Sequence, residues 1–332
     1  MTFQWPDDFS PVPQEAWAEA QLEELAQKYD TVEEHGWYDN LNPSVDDLLS
    51  HPGSDTLVLD YSGGTGILTR RLLARPNTER FGVLIVDSSP KFLRLALEKS
   101  KADPRVGYRL IHYLKSERRL QSLSEVVDQS IWARGVDAVV STNAIHLYYG
   151  LNDTLKGWFE ILRPGGVAYV QSGNIHNPDA EPDAWIIDET VEHIHEAAMN
   201  IVKTHQEFSE YRAVLEDSEY MSAHDRLRAK YFLPVRHVDH YQEAFERVGF
   251  QVRSREVRTF DALVTDWYDF LAVYHEGVLG WIGGAEKIVG RPATEDEIIQ
   301  RKRLMRLAMD HIFEGRNRFR ASWTYFQCEK PS

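Results

Sequence analysis

The sequence predicts a doubly wound α/β fold: a mainly parallel, seven-stranded sheet with helices on both faces and two helical insertions forming a lid. Three observations predict it. Short runs rich in leucine, valine and isoleucine alternate with helical stretches between residues 55 and 175. Several of those runs are apolar throughout, as strands covered on both faces are. The first of them ends in a glycine-rich turn that passes directly into a helix. At 332 residues the chain can bury a substantial core, and a 42% hydrophobic, 27% charged composition is that of a globular protein.

Residues 13–30 read as an amphipathic helix, with Trp17, Leu22, Leu25, Ala26 and Tyr29 largely on one face. A turn around Asn40-Leu41-Asn42-Pro43 precedes a short helix, 45–50, ended by His51-Pro52-Gly53. Strands follow at 56–60, 81–87, 106–113, 136–141 and 166–172. Helices at 67–74, 90–101, 120–133 and 153–162 separate them, the second opening on Pro90, which suits a first helical turn. The regularity then breaks. A long polar and aromatic stretch with helical character leads to a helix at 241–248 and a strand at 249–257. A second helical stretch precedes the last strand, 321–328. If that strand pairs with the core, the helical stretches are caps on one domain. The division is therefore an N-terminal helical segment 1–54, a ligand-binding core 55–175, insertions 176–238 and 261–316, a core helix and strand 239–260, and a final strand 317–332.

Fifty-two acidic against 37 basic side chains leave a formal charge of −15, which repels phosphate backbones and anionic lipid. Nucleic acid and membrane are therefore not expected partners. Cys328 is the single cysteine, so neither a disulfide framework nor a CxxC zinc site is available. No apolar run reaches the ~20 residues that span a bilayer, and residues 1–13 are acidic and proline-rich with no signal-like apolar region. A cytoplasmic protein is the expectation.

The strongest chemical signal is Leu57-Val58-Leu59-Asp60-Tyr61-Ser62-Gly63-Gly64-Thr65-Gly66. Glycines between a strand and a helix bring bare backbone to a ligand at a helix N-terminus. Asp87 ends the next strand, 21 residues past Gly66, where a carboxylate can accept from both hydroxyls of a ribose. Together they specify a nucleoside cofactor. The dinucleotide pattern fails, because Gly64-x-Gly66 runs on to Thr69, and no Walker lysine follows the turn. Asp60 would repel a pyrophosphate but suits a cation, and S-adenosylmethionine carries a sulfonium and an ammonium.

On these residues the sequence resembles the class I S-adenosylmethionine-dependent methyltransferases, whose first motif runs roughly D-x-G-x-G-x-G. Asp60, Gly64 and Gly66 match it, with Ser62 where the first glycine is usual. Asp87 matches the family's ribose-binding acid. Ser141-Thr142-Asn143-Ala144-Ile145-His146 is similar to the segment after the fourth strand, which faces methionine moiety and substrate. Glu160-Ile161-Leu162-Arg163-Pro164-Gly165-Gly166 is similar to the turn into the fifth. The likeness covers residues 55–175 well and 241–258 more loosely. It implies that Asp60, Tyr61, Ser62, Gly63, Gly64, Gly66, Asp87, Ser88 and Asn143 hold the cofactor, with Tyr29 and Tyr38 closing over it. The family often offers an acid to the adenine after the third strand; Leu114-Lys115-Ser116-Glu117-Arg118-Arg119 assigns that role to no residue.

Methyl transfer from a sulfonium is an in-line displacement, so the protein aligns the partners and removes a proton where needed. His146 is the candidate base or substrate contact, or else a histidine packed in the core. Tyr149, with Tyr148, lines the same pocket or packs beneath it. Trp267, Trp281, Tyr268, Phe270 and Tyr274 form the core of the second insertion or an apolar wall over the substrate. Arg226, Arg228 and Arg236 bind a carboxylate or lie on a solvated face. Without HExxH or cysteine support, no metal is expected. The expected partner is a small molecule enclosed by the lid, with a homodimer as an option. Cyclopropanation or carboxyl transfer with the same cofactor, and a non-catalytic binding protein, share these motifs.

Overall fold

The computed structural model describes residues 2–50 and 55–332, with Leu25 described by its backbone alone. The turn expected at His51-Pro52-Gly53 lies outside the described residues.

Seven strands form one sheet: β1 (Thr56–Tyr61), β2 (Phe81–Asp87), β3 (Val106–Leu110), β4 (Val136–Thr142), β5 (Leu162–Ser172), β6 (Gln251–Leu263) and β7 (Arg318–Glu329). Their order is β6-β7-β5-β4-β1-β2-β3. Neighbours from β3 through β5 run parallel, while β7 is antiparallel to both β5 and β6. The order reverses between β1 and β4, so the crevice at their carboxyl ends is where a sheet of this kind takes its ligand.

Alternation along the strands explains the two layers. Val58, Val83, Ile85, Ala138 and Val140 pack on one face under helices Asn42–Leu49, Ile67–Leu73 and Pro90–Ser100. Leu57, Leu59, Leu84, Val86 and Val139 pack on the other under Leu151–Ile161 and Val238–Val248. Both faces are dry, which is why these strands read as continuous apolar runs.

Several expected elements differ. The single helix over 13–30 is two short ones, Ala16–Glu19 and Glu24–Asp30. Ala20 is extended, and its carbonyl accepts from Arg94 Nε at 2.8 Å instead of from a following amide. The helix over 120–133 likewise breaks into Leu123–Val126 and Gln129–Arg134. There Asp128 is drawn to the buried Arg109, whose Nε donates at 2.6 Å. β6 runs to Leu263, beyond the expected 257, because β7 pairs with it from Gln251↔Glu329 to Leu263↔Arg318. β5 starts at Leu162, so Arg163-Pro164-Gly165-Gly166 lies within the strand at a register shift against β4.

The chain between β5 and β6 carries helices Glu189–Thr204 and Ser218–Tyr231 ahead of Val238–Val248. The chain between β6 and β7 carries Val264–Val273, His275–Leu279 and Glu295–Ile312. Helix Glu295–Ile312 lies against Glu189–Thr204, burying Leu304, Met305, Ala308 and Met309 in the same cluster as Val191, Ile194 and Ala198. Among the described residues no helix is long and apolar enough to cross a membrane.

Candidate active site at the carboxyl edge of the sheet

The turn after β1 is built on three left-handed residues, Ser62 (φ 58°), Gly64 (φ 56°) and Gly66 (φ 77°). Ser62 and Gly63 donate backbone N–H groups to the Val86 carbonyl at 2.7 and 3.3 Å, tying the turn to the end of β2. A side chain at Gly63 would meet the Asp60 carboxyl at 2.8 Å, so that position must be bare. At Gly64 a Cβ would meet nothing within 4 Å. The turn therefore presents half-buried backbone, with no side chain, to open space at Gly64. Ser62, where glycine costs nothing, is a side chain in a conformation that favours glycine. Its Oγ accepts from the Tyr148 hydroxyl at 3.0 Å, and Tyr148 also pairs with Ser141 Oγ at 2.7 Å. That hydroxyl chain from β4 holds the strained residue in place.

Asp87 closes the turn from β2. Its Oδ2 accepts from Gly64 N at 2.8 Å and its Oδ1 from Ser89 N at 2.7 Å. Burial pushes the carboxyl above its ordinary range, against the pull of backbone N–H groups of Ser89, Gly64 and Ser88. A carboxylate fixed this way keeps lone pairs for a diol at the crevice. Ser88 itself is exposed.

Asp60 is fully buried, beneath the turn. Its Oδ2 accepts from Thr69 Oγ1 at 2.7 Å, while its Oδ1 has no partner among the described residues. Burial pushes the carboxyl up to about 7; the Thr69 bond opposes this and the Asp87 charge adds to it. A folded-state pKa above the unfolded value means the proton is bound more tightly in the folded chain. Stability from this group is thus present at low pH and lost as pH rises through about 7. Asp60→Asn should therefore match the wild type near pH 3, below the unfolded pKa, and exceed its unfolding free energy by on the order of 4 kcal/mol near pH 8. Urea titrations at both values check this; a gain independent of pH would refute it.

Beyond the turn lies a cavity of about 260 Å³. The end of β4 lines it with Asn143 and His146, and the N-terminal segment with Tyr29, Trp37 and Tyr38. Asp188 and Tyr231 come from the stretch after β5, Trp267 and Tyr274 from the stretch after β6, and Trp323 from β7. Asn143 (φ 54°) accepts from Trp323 Nε1 at 2.8 Å and donates to Asn40 Oδ1 at 3.3 Å. Tyr29 stacks on Phe92 at 4.9 Å, and its hydroxyl is 3.4 Å from that of Tyr38.

His146 sits on the one-turn helix Ile145–Leu147. Its Nδ1 is 2.9 Å from Ser172 Oγ, and its Nε2 is 3.6 Å from Asp188 Oδ2. Burial pushes His146 down to about 4 and Asp188 up to about 7. The imidazole is neutral near pH 7, and the carboxyl beside it straddles its own titration, so the pair can hold one transferred proton.

The expected residues thus divide. The turn glycines, Ser62 and Asp87 gather at one end, and Tyr29, Tyr38, Asn143 and His146 gather at the cavity. Tyr61 does not face it: the ring packs on Tyr148 and Trp158 at 5.5 and 5.3 Å. Tyr149 is 83% exposed and is not part of this cavity's lining; its neighbour Tyr148 is the one that turns inward. Trp267 serves both of its expected roles, buried in the helical core and lining the cavity. Arg228 is spent on Glu192 and Asp225, and Arg236 on His240. Asp188, Phe92 and Trp323 line the cavity with no motif to announce them. Among the described residues no three His, Cys, Asp or Glu side chains gather as a metal site.

No family model matches the chain. The hybrid PKS-NRPS synthetase apdA of Emericella nidulans is 29% identical over 145 residues, 42% of this chain and 3% of that protein. The chain thus spans only a small part of this curated relative's length. Among solved structures, a protein of Bacillus halodurans C-125 provisionally described as a methyltransferase aligns with a TM-score of 0.50 at 14% identity. The alignment covers 89% of this chain and 100% of that one. YcgJ of Bacillus subtilis aligns with a TM-score of 0.48 at 11% identity, over 89% of this chain and 99% of its own. Identities this low speak to the fold alone.

Proposed function

We propose that this chain, which has the Rossmann-like fold of the methyltransferases, is an S-adenosylmethionine-dependent methyltransferase acting on a small molecule. One observation carries the reading: Asp87 holds the N–H of Gly64, the one turn residue whose missing side chain leaves open space. The residues fit the cofactor in three further respects. The turn presents backbone beside a helix N-terminus, Asp60 keeps an oxygen beneath it without a partner among the described residues, and β4, whose end leads to the cavity, is the neighbour of β1 in the sheet. S-adenosylmethionine, when bound, supplies an activated methyl group on a cationic sulfur.

The chain's own part is positional. Asp87 accepts from the ribose hydroxyls, and the bare backbone at Gly64 allows close approach. Asn143, fixed by Trp323 and Asn40, and Tyr38 border the passage from the turn to the cavity. The acceptor's proton passes to the His146–Asp188 pair and rests on Asp188, the more basic of the two. Segments 176–238 and 261–316 act as a lid that excludes water from the cavity, which suits an enclosed small molecule better than a polymer.

Asp87→Ala should weaken S-adenosylhomocysteine binding by roughly 1.5–3 kcal/mol, the range for hydrogen bonds to a charged acceptor. Calorimetric titration of both proteins measures it. Equal affinities would place the ribose elsewhere.

A further inference from the structure

The cavity's chemistry narrows the acceptor. Among the described residues, no lysine or arginine lines it. Nearby guanidiniums are committed elsewhere. Arg70 pairs with Glu33 and Asp30, Arg71 donates to the carbonyls of Tyr38 and Glu33, and Arg301 is bound to the Ile282 and Gly284 carbonyls. A carboxylate or phosphate entering this space would lose its water and find no counter-charge, which is unfavourable.

A cation would meet one carboxyl among the described lining residues, Asp188. That group faces His146 Nε2 at 3.6 Å and burial pushes it up to about 7, so near neutral pH it is only partly a counter-charge. The wall is aromatic, but its rings are stacked on one another. Trp37 lies on Trp323 at 6.0 Å and 18°, and Trp267 on Phe270 at 5.1 Å and 10°. Each pair covers one face of both rings, which leaves less aromatic surface for an ammonium group.

One polar atom asks for a partner. Asn174 is 1% exposed and lines the cavity. Its Nδ2 donates to the Leu233 carbonyl at 3.2 Å, which leaves Oδ1 as a buried acceptor with no partner among the described residues. Buried acceptors are rarely left unpaired, and a ligand donor would satisfy this one.

We infer that the acceptor is an uncharged, largely apolar molecule carrying, apart from the atom that is methylated, a hydroxyl that donates to Asn174 Oδ1. Asn174 N and His146 Nδ1 both meet Ser172 Oγ, which sets the two residues side by side. The inference deepens the methyltransferase reading and rests on it. It can nevertheless be tested by binding alone, on the full chain without cofactor.

The probes are four naphthalenes of similar body: 2-naphthol, 2-naphthoate, 2-methoxynaphthalene and naphthylmethyl-trimethylammonium. Calorimetry should show 2-naphthol binding at least about tenfold tighter than the anion or the cation. Asn174→Leu should abolish its advantage over the methyl ether. Leu147 lines the rim and is 43% exposed, so Leu147→Arg should leave the fold intact and raise 2-naphthoate affinity by about tenfold or more. If the anion or the cation binds wild type as tightly as 2-naphthol, the inference is overturned, whatever Asn174→Leu does to folding. If 2-naphthol is preferred but S-adenosylhomocysteine fails to bind, the neutral-ligand site stands and the methyltransferase reading falls.

Discussion

Gly64→Val removes S-adenosylhomocysteine binding while the chain still folds. Two independent features of the position lead to this expectation. At φ 56° a β-branched residue is an outlier, and holding it there costs on the order of 1–3 kcal/mol. More decisively, the new side chain projects into the open space beside Asp87, because a Cβ there meets no protein atom within 4 Å. The folded chain therefore has room for the valine, and the cofactor does not. Gly63→Val would be a poor substitute, since its Cβ collides with Asp60 and Ile85 at 2.8–2.9 Å and would damage the turn itself. The ligand-induced rise in melting temperature should vanish in Gly64→Val, with the circular dichroism spectrum unchanged. A normal rise would show that no ligand passes over this turn.

Arg301→Ala loses about 3–5 kcal/mol of stability, from orphaned acceptors and an unfilled cavity together. Arg301 is fully buried on helix Glu295–Ile312. Its Nη2 donates to the Ile282 and Gly284 carbonyls at 2.6 and 3.2 Å, and its Nε to Ile282 at 3.1 Å. Its Nη1 lies 2.8 Å from His275 Nδ1. No other side chain can reach these acceptors in a planar fork, so Arg301→Lys should recover only part of the loss. Denaturant unfolding reads the effect. An alanine variant as stable as wild type would mean that the turn at 280–285 holds itself, and that the helices after β6 are not fastened through this residue.

How much of this was legible in the sequence follows from range. β2 was readable to the residue because an apolar run bounded by Asp87 is a local signal. The glycine turn was readable because backbone geometry restricts the residue types it tolerates. Helix breaks at Ala20 and Asp128 were not, since each is caused by an arginine from elsewhere, Arg94 and Arg109. The cavity was legible only in part. His146 and Asn143 follow a strand and could be singled out, but Asp188 meets His146 across 42 positions, through the path of the stretch after β5. Asn40 shows the same limit. It is fully buried, accepts from Gln171 and Asn143, and takes the Tyr325 hydroxyl on its carbonyl, three contacts that no spacing rule anticipates. Tyr148 and Tyr149 are a finer case. They follow a one-turn helix, where no period of two or of 3.6 says which ring turns inward.

The turn after β1, closed by Asp87, is proposed above as a site for S-adenosylmethionine. The most direct measurement is a pair of calorimetric titrations of the full chain, one with S-adenosylhomocysteine and one with NAD. S-adenosylhomocysteine should bind with low-micromolar affinity or better and raise the melting temperature, as any ligand selective for the folded state must, while NAD gives neither heat nor shift. Saturable binding of NAD with none of S-adenosylhomocysteine would make the turn a site for a dinucleotide instead.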